Sequence, residues 1–353
     1  MSRKLAGLLL LLGLIAAACG ADTSVSSSDA GGESAAESLV GATRPLALTS
    51  PDQTPEVDRT VASVELADIV FDTFDGGSVT LAEADDATIE RLFDAIAPID
   101  APEYESAESA DWLLDEEVIL GYVDPEGGAW AYPVRILNSH EIVNDELGGQ
   151  PVLISYCPLC GSGVVYDRVL NGEELSFSNT SALLDNDMVM VDRETGSYWW
   201  QVAGSAVVGE LTEQSLEVLP SQLARWGSWV EQNPDTAVLS QLPGRFYDPS
   251  SFGTYDQVLD SGRTPFPLRS DTLSDDRLAS STPVVFATIE DETVAWVPEP
   301  ARSFTDTVGG VEVEVTTDGL AAIVTSDGEL VATRASFWFA ALTAFPDIVL
   351  SAQ

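Results

Sequence analysis

Two thiols stand three residues apart in Cys157-Pro158-Leu159-Cys160-Gly161, between an apolar run, Val152 to Tyr156, and a second, Val164 to Tyr166. That spacing supports two chemistries. As thiolates the pair can share a transition metal; as thiols in an oxidising compartment it can cycle through a disulfide. The flanks favour the metal. Proline fixes φ early in the turn and glycine supplies a left-handed position, as in a metal knuckle whose backbone N–H groups donate to the sulfurs. A redox pair of the Cys-x-x-Cys type usually opens a helix, whose dipole lowers the first thiol's pKa. Here Gly161-Ser162-Gly163 and the β-branched residues that follow point to a strand instead.

One knuckle supplies two ligands, whereas structural zinc is four-coordinate. The chain has three cysteines and one histidine, so a Cys₄ site within one chain is excluded. His140 is the candidate third ligand. Of the methionines beyond the initiator, Met188 and Met190, the latter is the candidate thioether. Two thiolates, an imidazole and a thioether form a soft set suited to copper, less so to zinc. Glu141 and Asp145 are candidate outer partners orienting His140. Asp192 and Arg193, in Asp192-Arg193-Glu194-Thr195, suit a buried Arg–carboxylate network near the site, with Arg135 and Arg168 in similar settings. Plainer readings stay open beside these: a hydrogen-bonded His140, methionines as core filling, and a structural Cys157–Cys160 disulfide. In the metal-free redox alternative Cys157 attacks, Cys160 resolves and His140 serves as base. The sequence has no G-x-S-x-G elbow, phosphate-cradling loop or dinucleotide fingerprint, so no nucleotide cofactor is expected.

The elements that must position these residues read as α+β with strands dominating. Ile89, Leu92, Phe93 and Ile96 form a helical stripe stopped by Pro98, and Trp112-Leu113-Leu114 suggests another short helix. Strands are expected over Val118 to Val123, Trp130 to Leu137, Val152 to Tyr156, Val164 to Asp167 and Met188 to Asp192. Helix is expected again over Leu223 to Gln232 and Ser336 to Phe345. Pairing of the strands at Trp130 and Val152 across the loop Asn138 to Gln150 would set His140 near the thiols. A faint repeat also shows. Val118-Ile119-Leu120-Gly121 leading to Ala129-Trp130-Ala131-Tyr132-Pro133 is echoed by Val284-Val285-Phe286-Ala287 leading to Ala295-Trp296-Val297-Pro298, and the endings at Pro234 to Ser240 and Pro346 to Ser351 are alike. The reading is one large domain from 61 to 353, with a site-bearing half at about 118–241 and a degenerate half at about 280–353.

The N-terminus reads as a leader. Ser2-Arg3-Lys4 is basic, and Leu5 to Ile15 is apolar but too short to span a bilayer comfortably. Ala16-Ala17-Ala18-Cys19-Gly20 is similar to a lipoprotein cleavage box. Residues 1–18 are thus expected to be removed and Cys19 lipidated, with 19–60 a Ser/Ala/Gly-rich tether. Localisation would be the extracytoplasmic face of a membrane, anchored by that lipid. The net charge of −43, with Lys4 the only lysine, makes nucleic acid an unfavourable partner. Another exported redox or metal-handling protein is the partner class that fits the thiol site.

Three blocks in order also carry a resemblance: Tyr132-Pro133-Val134-Arg135-Ile136-Leu137, His140-Glu141-Ile142-Val143-Asn144-Asp145 and Tyr156 through Gly161. With Met190 through Ser197, Trp199, Gln201 and the Trp338-Phe339-Ala340 ending, they are similar to the DUF3179 domain of unknown function, from roughly Val61 to the C-terminus. The resemblance implies no established activity. Some members carry selenocysteine in place of a motif cysteine, which implies a redox-capable position. One departure stands out: Phe177-Ser178-Asn179-Thr180-Ser181-Ala182 replaces a Phe-Gly-x-Ser-Gly run. The functional expectation is therefore a copper or zinc site with metal-linked redox; the alternatives are metal-free thiol or peroxide chemistry, and a binding or scaffold protein with a structural disulfide.

Overall fold

A computed structural model describes residues 54–100, 102–248, 264, 266, 268 and 274–352. The expected leader, Cys19 and the expected tether up to residue 53 lie outside the described residues. From about Glu56 the chain already packs on the domain: Arg59 donates to the carbonyls of Leu81 and Ala84, and a Cβ on Gly196 would meet the Glu56 carbonyl at 2.4 Å.

Strands dominate, joined by four helices of seven residues among the described residues. No helix there is long and apolar enough to cross a membrane. Two sheets bear on the thiols. A six-stranded antiparallel sheet runs in the order Ser205–Val208, Tyr198–Trp200, Asp187–Asp192, Phe177–Leu184, Ile69–Asp72, Ser78–Thr80. A larger sheet contains Ser162–Asp167, Gln150–Cys157 and Ile142–Leu147 side by side. Between the two lies an apolar cluster built from Leu153, Cys157, Cys160, Val164 and Tyr166 on one side and Phe177, Met188, Met190 and Trp199 on the other. Removal of these apolar surfaces from water is the main force holding the sheets together.

The echoed segments occupy matching places. In the first, Ser221–Arg225 pairs antiparallel with Val118–Val123, which pairs with Ala129–Pro133; the helix Trp226–Gln232 follows, and Ala237–Leu239 joins parallel to Ala129–Pro133. In the second, Arg334–Phe337, Pro283–Ile289 and Glu292–Trp296 pair likewise; the helix Trp338–Ala344 follows, and Val349–Leu350 joins parallel to Glu292–Trp296. Both helices begin on tryptophan, whose N–H is taken by the carbonyl of Glu117 or Thr282, just before the strand each unit starts with.

Several boundaries differ from the sequence expectation. The strand from Trp130 ends at Pro133, and Val134–His140 is helical. Val134-Arg135-Ile136-Leu137 is a short apolar run whose period does not separate strand from helix, and Pro133 gives the helix its entry angle. The partner of Gln150–Cys157 is therefore Ile142–Leu147, joined by Gly148-Gly149, both at positive φ as a tight hairpin turn requires. The helix at Ile89 spans Asp86–Leu92, capped by the Asp85 side chain, and stops at Phe93 rather than near Pro98 because Asp94 turns to give its N–H to the Asn179 carbonyl. Trp112 to Leu114 form turns, with Trp112 held by Glu105 and Arg135. Leu223 to Arg225 and Ser336 to Phe337 are strand, and the helices begin at the tryptophans.

Candidate metal centre

Cys157 closes the strand Gln150–Cys157 and sits opposite Ser162 in the register. The turn between them needs glycine at 161. Its φ is +58°, and a Cβ there would lie 3.1 Å from the Phe337 ring. The Cys160 carbonyl accepts from Phe337 N–H at 2.7 Å, which fixes the turn against the strand Arg334–Phe337. Behind the turn, Ser162 donates to Gln201, and Gln201 donates to Ser155 at 2.9 Å.

A second turn meets this one from the other sheet. Asp185 and Asn186 both adopt positive φ in the hairpin between Phe177–Leu184 and Asp187–Asp192. These residue types tolerate that conformation, and the turn brings Asp187 to the thiols. The Cys160 thiol donates to Asp187 Oδ1 at 2.9 Å, and Cys157 Sγ faces the Asn186 carbonyl at 3.8 Å. Asp187 Oδ2 accepts from Val202 N–H at 2.7 Å. One donor atom from each of Cys157, Cys160 and Asp187 lies within 4.8 Å of the others, and all three side chains are buried.

The electrostatics are one-sided. Burial pushes both thiols above their ordinary range, Cys160 furthest, and the neighbouring Asp187 adds to this. Burial lifts Asp187 to about 7 and Glu141 to about 8. None of the ion pairs among the described residues involves Asp187 or Glu141. Raised values of this kind keep the four groups protonated, and a metal ion would favour their deprotonated, ligating forms. The donor chemistry fits such an ion: two sulfurs and a carboxylate match the ligands zinc accepts. In one respect the turn is like a metal knuckle. The backbone N–H of Cys160 serves the Cys157 sulfur, whereas the Cys160 thiol faces oxygen atoms.

The other anticipated residues are placed as follows. His140 ends its helix outside the group of three. Its Nδ1 bonds the Ala97 carbonyl at 2.7 Å and must carry the proton, so Nε2 accepts from the Tyr247 hydroxyl at 2.9 Å. Burial holds this imidazole down at about 4. Glu141 does not orient His140; its Oε2 accepts from Asn179 Nδ2 at 2.7 Å. Asp145 instead accepts from Tyr104 and Tyr132. Met190 is buried in the apolar cluster, and Met188 Sδ lies 3.4 Å from Asn179 Nδ2. Asp192 accepts from Thr195 and Trp199, and Arg193 pairs with Asp100 at 2.9 Å. Asp192 lies five steps along the strand from Asp187, about 17 Å at the usual rise, so this network fastens the far end of the strand. Arg135 pairs with Glu117 and Arg168 with Glu174 in comparable local networks.

A family model described as a protein of unknown function (DUF3179) matches residues 93–347. The chain belongs to the DUF3179 family. The span that defines this DUF3179 chain contains Cys157, Cys160, Asp187, Glu141 and Asn179, and most of both echoed segments. No curated protein and no solved structure matches it. The sequence reading of this DUF3179 site missed Asp187 as a thiol partner. Asp185-Asn186-Asp187 does carry a signal in the sequence, a turn-forming pair opening an apolar strand.

Proposed function

We propose that this DUF3179 protein is a lipid-anchored, extracytoplasmic metalloprotein that keeps one transition-metal ion on Cys157, Cys160 and Asp187. The observation that carries the reading is the buried convergence of two thiols and a carboxyl, contributed by turns of two different sheets. Zinc is favoured over copper, because the third donor is a carboxylate and the imidazole is committed to Ala97 and Tyr247. The ion's work in this reading is to tie the two sheets together at the thiol turn, as structural zinc does in small metal-dependent folds. Anchoring through Cys19 would hold the domain at the membrane's outer face.

Thiol exchange without metal is less well supported. Reactive cysteines sit in electropositive, partly exposed surroundings that lower their pKa, whereas Cys157 and Cys160 are buried among acids that raise it. The test is metal content, by mass spectrometry, of the full chain exported with Cys19→Ser, together with a count of free thiols. About one zinc per chain, lost in Cys157→Ser, is the expected result. A metal-free protein with a Cys157–Cys160 disulfide would replace this reading with the redox one.

A further inference from the structure

We infer that the groove between the first echoed segment and the hairpin Ala322–Ser326 and Glu329–Leu330 is a binding site for an uncharged, mainly apolar small molecule that carries a carbonyl group. One wall comes from the strands Val118–Val123 and Ser221–Arg225 and from Trp229 of the helix Trp226–Gln232. The hairpin forms the other. The space between them is about 330 Å³, within the range of small-molecule pockets. The walls are tied together, because Thr333 Oγ1 donates to the Ser221 carbonyl at 3.3 Å, so the groove is formed before a ligand arrives. The lining shares no residue with the group Cys157, Cys160 and Asp187, so the inference stands apart from the metal reading.

The lining selects the occupant. Among the described residues no charged side chain lines the groove, on a chain whose net charge is −43. Anions are repelled by that field, and a cation would find no carboxylate in the groove to pair with. The rim is apolar: Val123 is 39% and Leu330 54% exposed, and these two large side chains flank one groove rather than standing singly on the surface. The Trp229 indole N–H is committed to Thr236 at 3.0 Å, so its ring gives the groove apolar surface only. Against this background stands one unfilled polar group. The Ser221 hydroxyl oxygen is buried and has no hydrogen-bond partner among the described residues. A buried hydroxyl left unpaired is costly, and a ligand carbonyl would complete it. The next residue, Gln222, adds an amide donor to the same lining.

The experiment titrates the full chain carrying Cys19→Ser, and its Leu330→Asp and Ser221→Ala variants, with Nile red, an uncharged apolar dye that bears a carbonyl. The anionic dye ANS is the comparison. The parent is expected to bind one Nile red saturably, at least about tenfold tighter than ANS. Leu330→Asp sets a charge on the exposed rim and should weaken Nile red binding at least about tenfold. Ser221→Ala should weaken it about threefold to tenfold, yet melt no lower than the parent, because it removes an unpaired buried hydroxyl. That combination separates a lost contact from a lost fold. No saturable Nile red binding, ANS bound as tightly as Nile red, or Nile red affinity unchanged in both variants would each overturn the inference.

Discussion

Asp187 meets backbone N–H groups and the two thiols, and among the described residues it is in no ion pair. Removing that carboxylate should cost the metal-free fold little, while the metal-loaded fold should lose a ligand. Asp187→Asn is expected to melt no lower than the parent without metal at neutral pH, and to lose the rise in melting temperature that zinc gives the parent. A variant that keeps the full zinc-dependent rise would exclude Asp187 as a ligand. Ser181 offers a second test. It stands at φ +60°, where the resemblance leads one to expect glycine, and its hydroxyl donates to the Leu92 carbonyl at 2.8 Å. Ser181→Ala keeps the strained backbone and loses the bond, for a cost of about 1 kcal/mol, whereas Ser181→Gly also relieves the strain and should be nearly neutral. Urea unfolding that ranks alanine above glycine would contradict this. His140 gives the pH test. Burial depresses its folded pKa to about 4, below the ordinary value of 6.5, so the unfolded chain takes up the proton first. Its contribution to stability is complete above about pH 6.5 and is lost as the pH falls toward 4. As this is the sole histidine, its ring resonances should show no titration above about pH 5 by NMR; a midpoint near 6.5 would mean the Ala97 and Tyr247 contacts do not form.

At the scale of elements, the thiol turn depends on Gly161. Gly161→Ala would set a Cβ against the Phe337 ring at a left-handed position, so a loss of about 1–3 kcal/mol in unfolding free energy and weaker zinc binding are expected. Unchanged stability would show that the turn tolerates another conformation. The strands flanking this turn were readable because apolar runs ended on glycine, proline and aspartate, and the same holds for Val118–Val123 and Asp187–Asp192. The helix at Val134 was not, since an apolar run of that length fits either period. The site was half legible. Cys157 and Cys160 announce themselves by spacing. Asp187 joins them through a contact between turns of two sheets that no local pattern encodes. The fate of His140 was decided by Ala97 and Tyr247, 43 and 107 residues away in sequence.

The whole molecule carries a net charge of −43, and self-repulsion of that size opposes the compact state. Added salt screens it, so the melting temperature should climb from low to molar NaCl; a flat profile would show that the charges are spaced widely enough not to matter. The same charge draws cations toward the surface, including those the thiol site would take. The account stands on one claim, that two thiols and a carboxylate from different sheets bind a single ion. X-ray absorption on the zinc-loaded chain addresses it most directly. The expected spectrum shows two sulfurs at about 2.3 Å with oxygen at about 2.0 Å. Zinc surrounded by oxygen and nitrogen alone, or by four sulfurs shared between chains, would contradict it.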